Sequence, residues 1–245
     1  MALFLREIKT RFGKYQLGYA WALIEPASTV LVMLVVFSAL GSHGMPGISL
    51  AAFLITGVVV NSLFVEITNR SIKAMEANSA LFNYRPIKPV DTVISRTVLE
   101  LLIHVAVYIF LIGVVVYFGD PFALHDLPLL LSVFLLMALF SFGVGVIYML
   151  ITDLYGEADK VLPLISRPLF FISGVFFSIQ IVPTEYHFLL VWNPIFHGIE
   201  LARESIAPDY RVPEANLAYL AFCSLVVVTM SLVFYRRREK KMRLR

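Results

Sequence analysis

Charge is scarce in this sequence: Asp, Glu, Lys and Arg together make up 15 % of it, whereas 59 % is hydrophobic and the mean hydropathy is +0.83. A water-soluble domain carries about 25 % charged residues, and a chain of 245 residues cannot hide so much apolar surface in one aqueous core. The composition therefore points to lipid as the solvent. Cysteine is nearly absent too. Cys223 is the single one and sits in an apolar run, which excludes a disulfide framework and reads as a small apolar residue. No Gly-x-x-x-x-Gly-Lys-Ser/Thr stretch occurs, so the chain holds no phosphate-cradling loop of its own. The five histidines (43, 104, 125, 187, 197) are scattered and none stands with Cys or carboxylates at ligand spacing, so no metal site is read. Neither a nucleophile elbow nor a paired-carboxylate site is evident, and no enzyme chemistry is assigned to this chain.

Long uncharged runs are abundant instead. A bilayer-spanning helix needs about 20 apolar residues. Residues 26–65 contain no Asp, Glu, Lys or Arg, broken only by the turn-forming "GSHGMPG" at 41–47. Six spans are predicted, at about 21–40, 49–69, 92–118, 127–151, 160–179 and 215–235. Backbone groups in hydrocarbon must be paired internally, so these are helices, and the alternation of a membrane β-barrel is missing. Orientation follows Lys and Arg. The first 20 residues carry four, the 70–91 loop carries four and the tail "RRREKKMRLR" carries seven, while 41–48 and 119–127 carry none. Both termini are expected in the cytoplasm. A basic start followed by "ALG" at 39–41 superficially resembles a signal peptide, but the basic region is long, the next apolar run follows closely, and retention is expected.

The opening stretch, "LFLREIKTRFGKYQLGYAWALIEP", interleaves Arg6, Lys9, Arg11 and Lys14 with apolar residues. At 100° per residue Met1, Phe4, Leu5, Ile8, Phe12 and Tyr15 fall in a sector of about 100°. This predicts an amphipathic helix over 1–18 lying in the headgroup layer. Its aromatics line the apolar face and are not free to stack on bases, which argues against nucleic acid. Between spans two and three, "KAMEANSALFNYRPIKP" predicts a short cytoplasmic helix that stops at Pro86 and Pro89, with an apolar edge suited to a groove on a partner. Between spans five and six, "YHFLLVW" and "IFHGIEL" flank "NP". Each is too short to span, so 180–214 is expected to form a re-entrant hairpin. Glu200 and Arg203 are expected to pair on one face of it.

A charge in mid-span is costly, so Arg167 should face protein or a watery path. On a helix over 160–179 it shares a face with Phe170, Phe171, Gly174 and Ser178, an arrangement suited to an anionic sugar chain because guanidinium grips carboxylates. The competing reading pairs Arg167 with Glu66 or Glu100, or lets it snorkel to the interface. Glu66, Arg70, Glu100 and His104 lie near span ends, where structural pairing is expected.

"LFLREIKTRFGKYQLGYAWALIEP", "ITNRSIKAMEANSALFNYRPIKPVDTVISR" (67–96), "KVLPLISRPLFFISG" (160–174) and "LLVWNPIFHGIELARESIAPDY" (189–210) together resemble the permease subunits of group 2 capsular polysaccharide ABC exporters, the KpsM type, almost end to end. The resemblance implies one all-α transmembrane domain over 1–245, working in the bacterial inner membrane as a homodimer. It implies two copies of a separate ATPase, which bind the ATP and Mg; this chain itself needs no cofactor. The implied cargo is an anionic, lipid-linked polysaccharide, passed to a periplasmic adaptor and an outer-membrane channel. Carried onto this sequence, it places ATPase coupling at Glu76, Asn78, Leu81, Phe82 and Tyr84, and a cytoplasmic entrance at Arg6, Lys9, Arg11, Arg85 and Lys88. The polymer path falls to Arg167, Phe170, Phe171, Gly174, Phe177 and Tyr148, and a periplasmic gate to Trp192, Asn193, Pro194, Glu200 and Arg203. Two other classes remain open on the residues alone: a proton-coupled secondary transporter using Glu66, Glu100 and His104, and an ABC exporter of a small lipid or drug. The first should show inverted repeats, and the two halves of the chain show no similarity.

Overall fold

Helices account for the ordered architecture of the computed structural model, which describes residues 7, 18–41, 47–74, 88–120, 122 and 124–242. They are α1 (Gly18–Ala39), α2 (Leu50–Ile72), α3 (Pro89–Tyr117), α4 (Leu127–Leu154), α5 (Ala158–Ile172), α6 (Phe188–Val191), α7 (Pro194–Ile206) and α8 (Leu217–Met242). Starts are chemically marked. Ser49 accepts a hydrogen bond from the Ala52 amide (3.2 Å) and Asp126 from Leu129 (2.8 Å), which satisfies amide donors the first helical turn leaves open. Pro89 opens α3, where a missing N–H costs nothing.

Among the described residues five helices are long and apolar enough to cross a membrane: α1, α2, α3, α4 and α8. The core is built around α2, 78 % of whose most apolar window is buried, against 11 % for α1 and 17 % for α8. Packing therefore radiates from α2 outward, and α1 and α8 present their apolar surfaces to lipid or to another chain. Small residues permit the close crossings. A Cβ at Gly145 would lie 2.5 Å from Ser71 Oγ on α2, and one at Gly143 would lie 2.9 Å from the Val228 amide nitrogen on α8.

The helix expected over 160–179 ends early. This helix, α5, runs only from Ala158 to Ile172, 15 residues, or about 22 Å, short of the roughly 30 Å hydrocarbon core. Gly174 ends it with φ +70°, a conformation that side chains resist. The chain then turns through 3₁₀ segments at Ile179–Ile181 and Thr184–Tyr186 into α6 and α7, which meet at Asn193. Asn193 caps α7 by accepting from the Ile195 amide (3.0 Å), and its own amide donates to Ser173 Oγ (2.9 Å), tying the bend to the end of α5.

Candidate functional site: a polar groove and a buried hairpin clamp

One face of α2 carries Asn61, Ser62, Val65, Glu66, Asn69 and Arg70, spaced so that they share a side of the helix, with Lys73 at its C-terminal cap. Three adjoining hollows run along this face. A cavity of about 140 Å³ is walled by Glu25, Asn61, Ser62, Glu66, His104 and Phe170, among others. One of about 480 Å³ adds Asn69, Ser166, Arg167 and Phe171. The third, about 560 Å³, lies among Glu7, Glu66, Asn69, Arg70, Lys73, Arg96 and Asp159. Shared walls at Phe170, Glu66, Asn69 and Pro163 make them one groove between α2 and α5.

Arg167, Phe170 and Phe171 line this groove together, as their spacing on α5 requires. The Phe170 and Phe171 rings meet edge to face at 5.8 Å. Arg167 is exposed, and among the described residues it has no acidic partner. The acids considered for it are taken elsewhere: Arg70 Nε lies 3.2 Å from Glu66 and 3.1 Å from Glu100. His104 Nδ1 sits 3.7 Å from the Glu100 carboxylate. At the same end Arg96 binds Glu7 at 3.0 Å and donates to the Arg70 carbonyl.

Three residues assigned to the path lie outside the groove: Gly174 and Phe177 because α5 stops at Ile172 instead of running to residue 179, and Tyr148 because its side of α4 packs inward. Gly174 is in the turn after α5, where its carbonyl accepts from Arg203. Phe177 packs against the main core. Tyr148 is buried on α4 in a cluster with Ile72 and Leu162. At the expected entrance, Lys88 pairs with Glu239 at 3.4 Å, whereas Arg6, Lys9, Arg11 and Arg85 lie outside the described residues, as does the whole segment Glu76, Asn78, Leu81, Phe82 and Tyr84.

The Glu200–Arg203 pair is the second feature, and it is no surface pair. Both side chains are 0 % exposed and 2.9 Å apart. Arg203 Nη1 also donates to the Gly174 carbonyl (2.9 Å) and Nη2 to Val175 (2.7 Å), with longer contacts to the Phe53 carbonyl (3.4 Å). Its Cζ stands 3.4 Å over the Phe53 ring. Gly57 makes the room: a Cβ there would lie 2.6 Å from Nη2. Tyr210 brings its hydroxyl to 2.5 Å from Glu200 and 2.7 Å from Ser178. A phenol has one proton, so it goes to the carboxylate and Ser178 donates back. Burial pushes the Glu200 carboxyl above the ordinary range, while Arg203 and Tyr210 pull it down. Burial and the adjacent carboxylate push the Tyr210 phenol up.

Further out, Trp192 is exposed and its carbonyl accepts from Tyr219 (2.7 Å). Asn193 is buried and Pro194 half-buried behind it. His197 donates from Nε2 to Val191 (2.6 Å) and accepts the Asn216 amide at Nδ1 (3.0 Å), which fixes a neutral ring. Burial pushes its pKa down, against the Val191 bond. Sequence reading passed over Asn61, Asn69, Ser166, His197 and Tyr210. A wheel drawn for α2 would have shown the polar stripe; the ties of His197 and Tyr210 join segments whose meeting no spacing reveals.

The sequence pattern of the ABC-2 type transporter family matches residues 1–207. The chain is 44 % identical to the polysialic acid transport protein KpsM of Escherichia coli over 241 residues, covering 98 % of this chain and 93 % of that protein. It is 27 % identical over 239 residues to the capsule polysaccharide export inner-membrane protein BexB of Haemophilus influenzae, and 28 % over 239 residues to CtrC of Neisseria meningitidis, which bears the same description. Each of those alignments covers 98 % of this chain and 90 % of the relative.

Proposed function

We propose, from a chain that belongs to the ABC-2 type transporter family, that this protein is the inner-membrane permease of an exporter of acidic, lipid-linked capsular polysaccharide. The observation that carries the reading is the groove between α2 and α5. It holds Arg167, a cation with no acidic partner among the described residues, beside the rings of Phe170 and Phe171. A guanidinium at membrane depth with no acidic partner among the described residues needs water or an anion to offset its cost, and aromatic faces pack against sugar C–H surfaces without fixing register, which a sliding polymer requires. Relatives named for polysialic acid and capsule polysaccharide support the same cargo class.

Since the sequence has no phosphate-binding loop, ATP hydrolysis falls to a separate ATPase, docked on the segment around Glu76–Tyr84. One protomer supplies one wall of the path, and a second copy related by a two-fold axis supplies the other. The basic residues Arg6, Lys9, Arg11, Arg85 and Lys88 admit the anionic cargo from the cytoplasmic side. The hairpin over 180–214 closes the periplasmic end, where an adaptor leads to an outer-membrane channel. The proton-carrier alternative is weakened by Arg70, which binds both carboxylates such a relay would use.

The test is Arg167→Gln in the complex with its ATPase. The complex assembles, and surface polymer and polymer-stimulated ATP hydrolysis both fall about tenfold, which corresponds to roughly 1.4 kcal/mol of lost interaction. Stimulation by small amphiphiles with none by polymer would assign the chain to lipid or drug export instead.

A further inference from the structure

Hydroxyls in these helices normally bond back to their own backbone. Thr56 donates to Ala52, Thr68 to Phe64 and Ser71 to Ile67, each at the preceding turn. Three polar groups on the groove do otherwise. The amide oxygens of Asn61 and Asn69 and the hydroxyl of Ser166 are buried, and among the described residues none has a hydrogen-bond partner. Asn61 is 2 % exposed and Ser166 is 6 % exposed. All three wall the same groove as Arg167. Buried polar groups left without partners are rare and call for an explanation. A structural role does not supply one, since among the described residues nothing is held by these atoms.

We infer that Asn61, Asn69 and Ser166 are the rungs of a hydrogen-bond ladder that reads sugar hydroxyls, with Arg167 beside them reading the acidic substituents. This deepens the exporter reading and rests on it. The chemistry is selective. Two amide oxygens accept only from donors, and a serine hydroxyl does both. Asn61 and Asn69 are eight residues apart on one helix, or about 12 Å, so the ligand must offer donors repeatedly along its length, as a polyol chain does. Uncharged rungs release as easily as they bind, which suits a moving chain. In the arrangement described here the rungs are closed off, and α5 is the wall that parts from α2. Pro163 and Pro168 inside α5 remove two of its backbone hydrogen bonds and make it the deformable side.

The experiment uses the full permease with its ATPase, in cells and in vesicles. The variant Asn61→Leu/Asn69→Leu/Ser166→Ala replaces unpaired polar atoms by apolar ones of similar size. Its thermal midpoint should hold or rise, while surface capsule falls at least fivefold and polymer accumulates inside; Ser166→Thr, which keeps the hydroxyl, should export normally. Wild-type surface capsule in the triple variant would overturn the ladder and leave the exporter reading intact. A lowered midpoint would also overturn it, by making the three groups structural. If ATP hydrolysis in phosphatidylglycerol vesicles without polymer drops in the variant while dextran and polysialic acid have no effect on wild type, the rungs bind lipid and the inference is wrong. If deleting the whole chain leaves surface capsule unchanged, the exporter reading itself fails.

Discussion

Removing the Arg203 guanidinium would leave the Glu200 carboxylate sealed from water without its cation, and would strip the Gly174 and Val175 carbonyls of their donor. Breaking one side of a buried pair costs about 3–5 kcal/mol, whereas replacing both sides by apolar groups is far milder. Arg203→Met is therefore expected to lower the thermal midpoint of the detergent-solubilised protein sharply, and Glu200→Leu/Arg203→Met to recover much of it; equal losses in both would show that the pair is not the stabilising unit. Gly57→Ala should reproduce the Arg203→Met loss, since its Cβ enters the space of Nη2, and a neutral effect would show that the guanidinium has room to shift. At this scale the sequence was half legible. The i,i+3 spacing of Glu200 and Arg203 announced a pair. Its burial was hidden, because the acceptors come from residues up to 150 positions away, and no local pattern carries that distance. Arg167 was legible for the opposite reason: a cation in an apolar run stands out on its own.

The long elements were plain in the sequence, since each contains an uncharged run of about spanning length. α5 was not. Its run continues apolar past Ile172, while the turn at Gly174 (φ +70°) and the contacts of Arg203 and Asn193 with that turn end the helix there. The hairpin that follows is tied to α8 through His197, whose ring must stay neutral to accept the Asn216 amide. Burial holds its pKa below the ordinary 6.5. A histidine shifted down favours the folded form fully above that ordinary value, and the contribution is lost as pH falls through it toward the lowered folded value. Hydrogen-exchange protection of the Asn216 amide should accordingly decline below about pH 6.5, and His197→Asn should flatten that dependence. The neighbouring His187 faces two acceptors, Val182 (2.9 Å) and Glu214 (3.2 Å). Protection at Asn216 that is indifferent to pH would remove His197 from this role.

At the scale of the molecule the count of crossings must agree with the charge at the two ends. Five long helices alone would put the termini on opposite sides of the membrane. Yet four Lys and Arg lie in the first 20 residues and seven in the tail, a bias by which the charge rule assigns both termini to the same, cytoplasmic side. The conflict is resolved if α5 and the irregular stretch after it make the sixth crossing together. Non-helical backbone at membrane depth is tolerated where protein covers it, and Ser173, Gly174, Val175 and Ser178 are all buried, their turn held by Arg203 and Asn193. The junctions on either side are open to reagent, Glu157 before α5 and Tyr186 after it being exposed. In a Cys223→Ser background, Tyr186→Cys and Phe122→Cys should react with an impermeant maleimide added to intact spheroplasts. Glu157→Cys and Lys240→Cys should react only once the membrane is opened. Labelling of Tyr186→Cys from the inside alone would mean that α5 turns back without crossing, with the termini then on opposite faces. The basic tail would have to be exported against the charge rule, and the hairpin would lie on the cytoplasmic face, against the periplasmic gate proposed for it.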